Sequence, residues 1–465
     1  MIPMDIEVVA RATGAKIIQG NPKTPVSAVS TDTRKLKSGD LFFALRGENF
    51  DAHDFIERGE VEEAGAVVIS RDLSGVSFEL PVLQVEDTLK ALQALAAYNR
   101  QQLDIPVIGI TGSNGKTSTK DMVARVLGVR YKTLKTSGNF NNEIGLPLTL
   151  LDLDASYQAA VVEMAMRGPG EIDFLCSLAH PTGAVITNIG EAHIERLGSR
   201  ENIARAKGEI LEYILPSGFA VLNADSFLTR QEAYRSAGKV IFYGTEQPVD
   251  ILASDISLGN KGSNFIVMTP YGKVDVFLPV PGRHNVLNAL AAVGVGLEMG
   301  LSLEDIKQGL SEVVLTGMRM EILERNGITI INDAYNANPD SVKAALLTLS
   351  ELAYNRRKIA VLGSMFELGA RAKPGHREVG EAAVAAEIDT LITVGDLAME
   401  IAKGAEIAGM SSDRIFRCVN NQDACVVLGD ILQERDIILV KGSRGMRLEE
   451  VVQYLLEDYG NRFKP

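Results

Sequence analysis

The stretch PVIGITGSNGKTSTKDMVARVL, residues 106–127, limits the fold more than any other in the chain. An apolar run passes into Thr111-Gly112-Ser113-Asn114-Gly115-Lys116-Thr117, then into a segment whose Met122, Val123, Val126 and Leu127 share one helical face. Strand, glycine turn and helix in that order belong to an α/β layer. The turn's backbone amides and the helix N-terminus converge on one spot and favour phosphate there. Lys116 is placed to neutralise outer phosphates and the Thr117 hydroxyl to bind Mg²⁺. The loop departs from the usual spacing: Ile110 stands where a glycine five positions before Gly115 is the norm, so Gly112 and Gly115 supply the turns. The other reading is a strand-to-helix turn with an incidental lysine, which the flanking strand and helix disfavour.

The rest of the chain extends this pattern. Its 465 residues correspond to roughly two to four domains, and three are expected. Apolar runs DLFFAL (40–45), AVVIS (66–70) and PVLQV (81–85) predict a small α/β domain over residues 1–100. From IPVIGI (105–110), strands recur at AAVVEMAM (159–166), GAVITNIG (183–190), FAVLNAD (219–225) and KVIFYG (239–244), with helical stretches between. Such alternation predicts a P-loop-type, mostly parallel sheet covered on both faces, over 101–315. NFIVMTPYGKVDVFLPV (264–280) reads as an added β-hairpin around Pro270-Tyr271-Gly272. Beyond LTGMRMEIL the pattern restarts, with strands at ITIINDAY (328–335), KIAVLG (358–363), TLITVG (390–395), RIFRCV (414–419) and DIILVKG (436–442). The expectation for 316–465 is a Rossmann-like doubly wound domain.

Charge narrows the partners. The net charge is −13, from 47 basic and 60 acidic residues, and no block of Lys or Arg stands out. Non-specific affinity for nucleic acid comes from clustered cations, so a nucleic-acid partner is not expected. Asp5 and Glu7 stand where a signal peptide needs a basic start, and no uninterrupted apolar run reaches the roughly 18 residues of a membrane span. Cys176, Cys418 and Cys425 have neither metal-ligand spacing nor an even count. A reducing compartment follows, and a cytoplasmic protein is expected.

Three further residues bear on chemistry. Glu163 ends an apolar strand and His193 follows the next one in TNIGEAHIERLG. Both positions are carboxyl ends of parallel strands, where open α/β sheets bind ligands. Carboxylate, imidazole and the Thr117 hydroxyl together make a candidate Mg²⁺ set, although His193 taken alone also reads as an ordinary loop histidine. Lys207, in SRENIARAKGEILEYIL, lies four after Ile203 and three before Ile210 and so shares their inward face. It either snorkels to water along apolar surface, or is a buried amine neutral enough to react with CO₂ and give a carbamate, a carboxylate on a long arm.

Together these residues resemble the Mur ligases, ATP-dependent amide-forming enzymes of peptidoglycan precursor synthesis, and the resemblance covers essentially the whole chain. In that family the loop reads Gly-x-x-Gly-Lys-Thr/Ser, as at Gly112 to Thr117. The resemblance implies a Mg²⁺ site of Thr117, Glu163, His193 and a carbamylated Lys207, with Lys116 on the phosphates. It makes Asn285 and Asn288 in PGRHNVLNALAA candidates for adenine contact, where otherwise they cap and solvate a helix. Arg319 in TGMRME is the candidate hinge arginine reaching the ATP phosphates, otherwise a linker charge. Asp333 in NDAYNANPDS is the candidate ribose contact, with Asn336 and Asn338 ordering the turn behind it. Ser30, Thr31, Asp32, Arg34 and His53, in the segment 30–56, are candidates for a uridine nucleotide.

Within the family, GNFNNEIGLPLTLL (138–151), NDAYNANPDS (332–341) and LGSMFELG (362–369) are similar to the member that joins D-alanyl-D-alanine to UDP-N-acetylmuramoyl-tripeptide. The Asp-Asn-Pro motif of the diaminopimelate-adding ligase is not found. The implied partners are that tripeptide, that dipeptide, ATP and Mg²⁺, acting within a monomer through an acyl phosphate and a hinged closure about Arg319. Ser364, Phe366, Lys441, Ser443 and Arg444 are further candidates in the third domain. Three rivals remain at this point: a folylpolyglutamate synthetase, which shares the loop and the lysine but lacks the first domain; a nucleotide-binding switch without ligation chemistry; and a P-loop kinase.

Overall fold

The structure is a computed structural model and describes residues 1–47, 50–72 and 79–457. Glu48 and Asn49, within the candidate uridine segment, lie outside the described residues. The chain falls into two compact units. The first is Met1–Gly109, Tyr131–Met166 and Glu171–Gly183; the second is Ile110–Arg130, Arg167–Gly170 and Ala184–Pro465.

In the first unit a five-stranded sheet runs in the order Lys16–Gln19, Val82–Gln84, Ala66–Ile69, Leu41–Phe43, Val29–Ser30. The first pair is antiparallel and the others are parallel. The apolar runs read from the sequence become its inner strands because both faces are covered: Leu41, Phe42, Phe43, Val67 and Val68 have no exposed surface. The helix Thr88–Gln101 starts at Asp87, whose carboxylate accepts the Leu89 and Lys90 amides. At its far end the buried Arg100 guanidinium donates to the carbonyls of Ala179, Leu103 and Ile105. Those bonds fix the chain as it enters the strand Val107–Thr111. The strands Thr133–Lys135 and Ala159–Glu163 pair in parallel.

In the second unit, Phe219–Asn223, Lys239–Gly244 and Ile251–Gly259 pair in parallel. Ile251–Gly259, Gly262–Thr269 and Gly272–Leu278 then form an antiparallel meander. The expected hairpin is therefore two strands of a three-stranded addition. The helix Lys116–Leu127 packs against Arg283–Glu298 and Leu303–Ser311. Close approach there needs glycine: a Cβ on Gly309 would stand 2.6 Å from the Val126 Cα.

A six-stranded sheet follows in the order Glu321–Arg325, Ile328–Asn332, Ile437–Lys441, Lys358–Gly363, Thr390–Val394, Ile415–Cys418. Only its first pair is antiparallel. Helices Pro339–Ala353, Ala372–Ala385, Met399–Ile407, Asn421–Ile431 and Glu449–Glu457 alternate with these strands. This is the doubly wound layer the sequence predicts, with an antiparallel edge strand added. No described helix is long and apolar enough to cross a membrane.

Candidate active site

The glycine loop adopts the geometry its residues require. Gly112 has φ 148° and Gly115 φ 80°, and the helix begins at Lys116 with Gly115 as its N-cap. A Cβ at Gly112 would strike Thr187 Oγ1, and one at Gly115 would strike Asn288 Oδ1. Both positions thus need glycine for conformation and for space. The loop is held from the segment after the strand Gly183–Ile186. The Ser113 and Asn114 amides donate to Asn188 O and Oδ1 at 2.9 and 3.0 Å. Asn188 Nδ2 and Thr187 Oγ1 donate to Asn114 O, and the Gly190 amide donates to Ser113 Oγ at 2.8 Å. Thr187 and Asn188 carry no signal that sequence reasoning used, since their role exists only once the strand ends meet.

Lys116 Nζ bends back onto Gly112 O at 2.8 Å, and Thr117 lies buried in the first helical turn. Thr111 is fully buried and its Oγ1 has no hydrogen-bond partner. A cradle closed to any Cβ, beside an orphaned hydroxyl, fits a phosphate group.

Lys207 and His193 come to the same place. Lys207 sits in the helix Arg200–Gly208, capped by Ser199, and is 1% exposed. It is a core lysine, not a snorkelling one. Burial, and then the Lys116 cation, hold its amine well below the ordinary lysine range. The His193 imidazole is lowered to about 4, first by burial and then by Lys116, while Glu367 acts in the opposite sense. Its Nδ1 lies 2.7 Å from Glu367 Oε2. In the first unit, Glu163 is buried at the end of its strand, where Asn141 Nδ2 donates to Oε1 at 2.7 Å and its own amide donates to Thr136 Oγ1. Among the described residues no three His, Cys, Asp or Glu side chains cluster as a metal site. The candidate set draws instead on a hydroxyl and a lysine.

Family models match in three consecutive segments: "Mur ligase family, catalytic domain" over residues 25–100, "Mur ligase middle domain" over 110–296, and "Mur ligase, glutamate ligase domain" over 318–444. The chain belongs to the Mur ligase family. It is 42% identical to the UDP-N-acetylmuramoyl-tripeptide–D-alanyl-D-alanine ligase of Bacillus subtilis, over 95% of this chain and 97% of that one. Its fold is similar to a crystal structure of MurF from Acinetobacter baumannii, with TM-score 0.89, 34% identity, and coverage of 98% of this chain and 99% of the other. It is also similar to MurF ligase from Thermotoga maritima in complex with ADP, with TM-score 0.83, 28% identity, and coverage of 94% and 99%.

The remaining candidates fall in three groups. Asn285 and Asn288 are buried, not solvated caps. Asn288 Oδ1 accepts from Thr119 Oγ1, its Nδ2 donates to Asn285 Oδ1, and Asn285 Nδ2 donates to Pro281 O. In this Mur ligase an asparagine pair thus braces the first turn of the helix that follows the glycine loop.

Arg319 stacks on the Tyr335 ring at 4.0 Å, and its Nε is buried without a partner. Arg444 approaches the same ring at 6.0 Å. Asp333 Oδ2 accepts from Lys441 Nζ at 2.6 Å and its Oδ1 from the Met320 amide. Lys441 Nζ also donates to Asn336 O. Asn338 caps the helix Pro339–Ala353, and its Nδ2 donates to Asn114 Oδ1 of the phosphate loop at 2.7 Å. Ser443 Oγ accepts the Phe366 amide and Ser364 Oγ the Ala398 amide, so these two hydroxyls order loops.

In the first unit, Asp32 pairs with the exposed Arg34 through two 2.9 Å bonds, and Ser30 Oγ closes the same turn onto Asp32 O. Thr31 lies between them, half-buried. His53 is used on both ring nitrogens, Nδ1 by Asp51 and Nε2 by the Ser70 amide. Those two bonds hold the ring within the segment 51–70.

Proposed function

We propose that the chain joins D-alanyl-D-alanine to UDP-N-acetylmuramoyl-tripeptide at the expense of ATP. The observation that carries this reading is the near full-length identity to relatives named for that reaction, and the ADP complex of a structural neighbour supports the nucleotide. The chemistry follows from a poor leaving group. A carboxylate oxygen of the tripeptide attacks the γ-phosphorus of ATP, releasing ADP and giving an acyl phosphate. The dipeptide's amine then attacks the acyl carbon, phosphate departs with the C–O electron pair, and the amine's proton is lost.

The loop amides of Gly112 to Thr117 and the Lys116 ammonium hold the phosphates and offset the charge of two anions brought together. Thr117, Glu163, His193 and a carbamylated Lys207 are the residues that would hold Mg²⁺, which when bound supplies positive charge to the phosphate oxygens. Burial, and then the Lys116 cation, lower the Lys207 amine and so favour the neutral form that a carbamate needs: nitrogen bonds to the carbon of CO₂ and a proton leaves. Arg319 and Asp333 serve the nucleotide, with Asn285 and Asn288 acting through the loop. Asn336 and Asn338 order the turn, and Ser30, Thr31, Asp32, Arg34 and His53 serve the uridine end. The division 1–100, 101–315 and 316–465, a cytoplasmic location and a monomeric state belong to the same reading.

The test is phosphate release from ATP with UDP-N-acetylmuramoyl-tripeptide, comparing D-alanyl-D-alanine with single amino acids and with folate plus glutamate. Release that requires both the tripeptide and the dipeptide is expected. Release with another pair would move the substrate, and none with any pair would leave a binding module.

A further inference from the structure

His193 and Glu367 face each other with an unusual backbone. Neither is glycine, yet both sit in the left-handed region, at φ 64° and φ 62°. Each such residue costs roughly 1 kcal/mol or more relative to an ordinary conformation. Their shared bond, Nδ1 to Oε2 at 2.7 Å, joins side chains 23% and 57% exposed. A pair this open to water contributes little stability. Two strained residues for one exposed bond is a poor exchange if stability is its purpose.

The segment that carries Glu367 is nonetheless firmly placed. His376 Nε2 accepts the Met365 amide at 2.9 Å, Ser443 Oγ accepts the Phe366 amide at 2.9 Å, and Leu368 is buried. The segment that carries His193 is held from the same side. Glu191 pairs with Arg371 at 2.9 Å, and its amide donates to Asp340 Oδ2 at 3.3 Å. The two backbones are therefore fixed so that one carboxylate meets one imidazole nitrogen.

A carboxylate on Nδ1 selects the tautomer that carries its proton there and leaves the Nε2 lone pair as the ring's donor. We propose that Glu367 is a positioning residue that holds His193 with Nε2 turned to the catalytic metal. This rests on His193 being a metal ligand, as in the preceding section.

Mn²⁺ binding to the full-length protein with ADP, read by electron paramagnetic resonance, tests it without turnover. Glu367→Gly removes the carboxylate and suits the left-handed backbone, so the melting temperature holds or rises while Mn²⁺ binding weakens by about tenfold or more. Glu367→Gln keeps an acceptor for Nδ1 and restores most of the affinity. Unchanged binding in Glu367→Gly, or equal weakening in both variants, overturns the proposal. His193→Ala separates the two levels: if it binds Mn²⁺ as the wild type does, the ligand assignment itself fails. If it weakens binding while Glu367→Gly does not, only the positioning role fails.

Discussion

Replacing Gly115 by alanine tests how the phosphate loop is built. At φ 80° an alanine costs about 1 kcal/mol in the left-handed region. Its Cβ would also strike Asn288 Oδ1, forcing that amide away from Thr119 Oγ1, to which it is bonded at 3.2 Å, and from Asn285. Losing those buried bonds adds about 1–2 kcal/mol. The sum, about 2–3 kcal/mol, falls on the conformer that binds nucleotide and corresponds to about a 30- to 150-fold loss of ADP affinity. Titration calorimetry with ADP and Mg²⁺ measures it. Adding Asn288→Ala removes the atom that is struck, so the double variant recovers part of the loss although Asn288→Ala alone weakens binding. Wild-type affinity in Gly115→Ala, or strictly additive losses in the double variant, would refute the reasoning.

Lys207→Ala removes the amine that a carbamate needs, so turnover should fall at least about a hundredfold and formate should restore part of it; full activity without formate excludes the role. Burial is the main cause that holds His193 and His284 near 4, with Lys116, Lys207 and Glu367 facing the first and Asp333 and Lys441 the second. The unfolded chain, with imidazoles near 6.5, binds more protons between these values. Stability is thus fully present above pH 6.5 and falls toward pH 4, by at most about 3 kcal/mol per imidazole before solvent screening is discounted. Thermal melts across that range check it, and a flat profile contradicts it. Asp333→Ala leaves the buried Lys441 ammonium without its carboxylate and should destabilise the chain by about 3 kcal/mol; urea unfolding reads the loss, and Lys441→Met in the same background should return part of it.

Much of this was legible in the sequence where burial is two-sided. Strands such as Ala66–Ile69 and Gly183–Ile186 are buried along their whole length and read as unbroken apolar runs. The strand Ile251–Gly259 escaped notice for a physical reason. Its register shifts between Ser254 and Ser257, with Asp255 at φ 51°, which breaks the period of two that marks a half-buried strand. Lys207 announced itself through helical spacing alone. The loop's supports did not: Thr187 and Asn188 acquire their function only from a distant chain segment, and Asn288, a candidate for adenine contact by resemblance, gave no sign of its bond to Thr119. Glu367 lay in plain view within LGSMFELG, but no spacing rule links it to His193.

The brace beneath the phosphate loop also sets a schedule for the chain's birth. Thr119 and its partner Asn288 are 169 residues apart. At about 5–20 residues per second a ribosome needs roughly 8–34 s to cover that interval. Within it Thr187, Asn188 and Gly190 emerge to hold the glycine loop, but the helix that opens at Lys116 still lacks its bond to Asn288. A nascent chain halted before residue 288 therefore carries the loop on one support of two, and nucleotide capture should strengthen once the asparagine pair has left the exit tunnel.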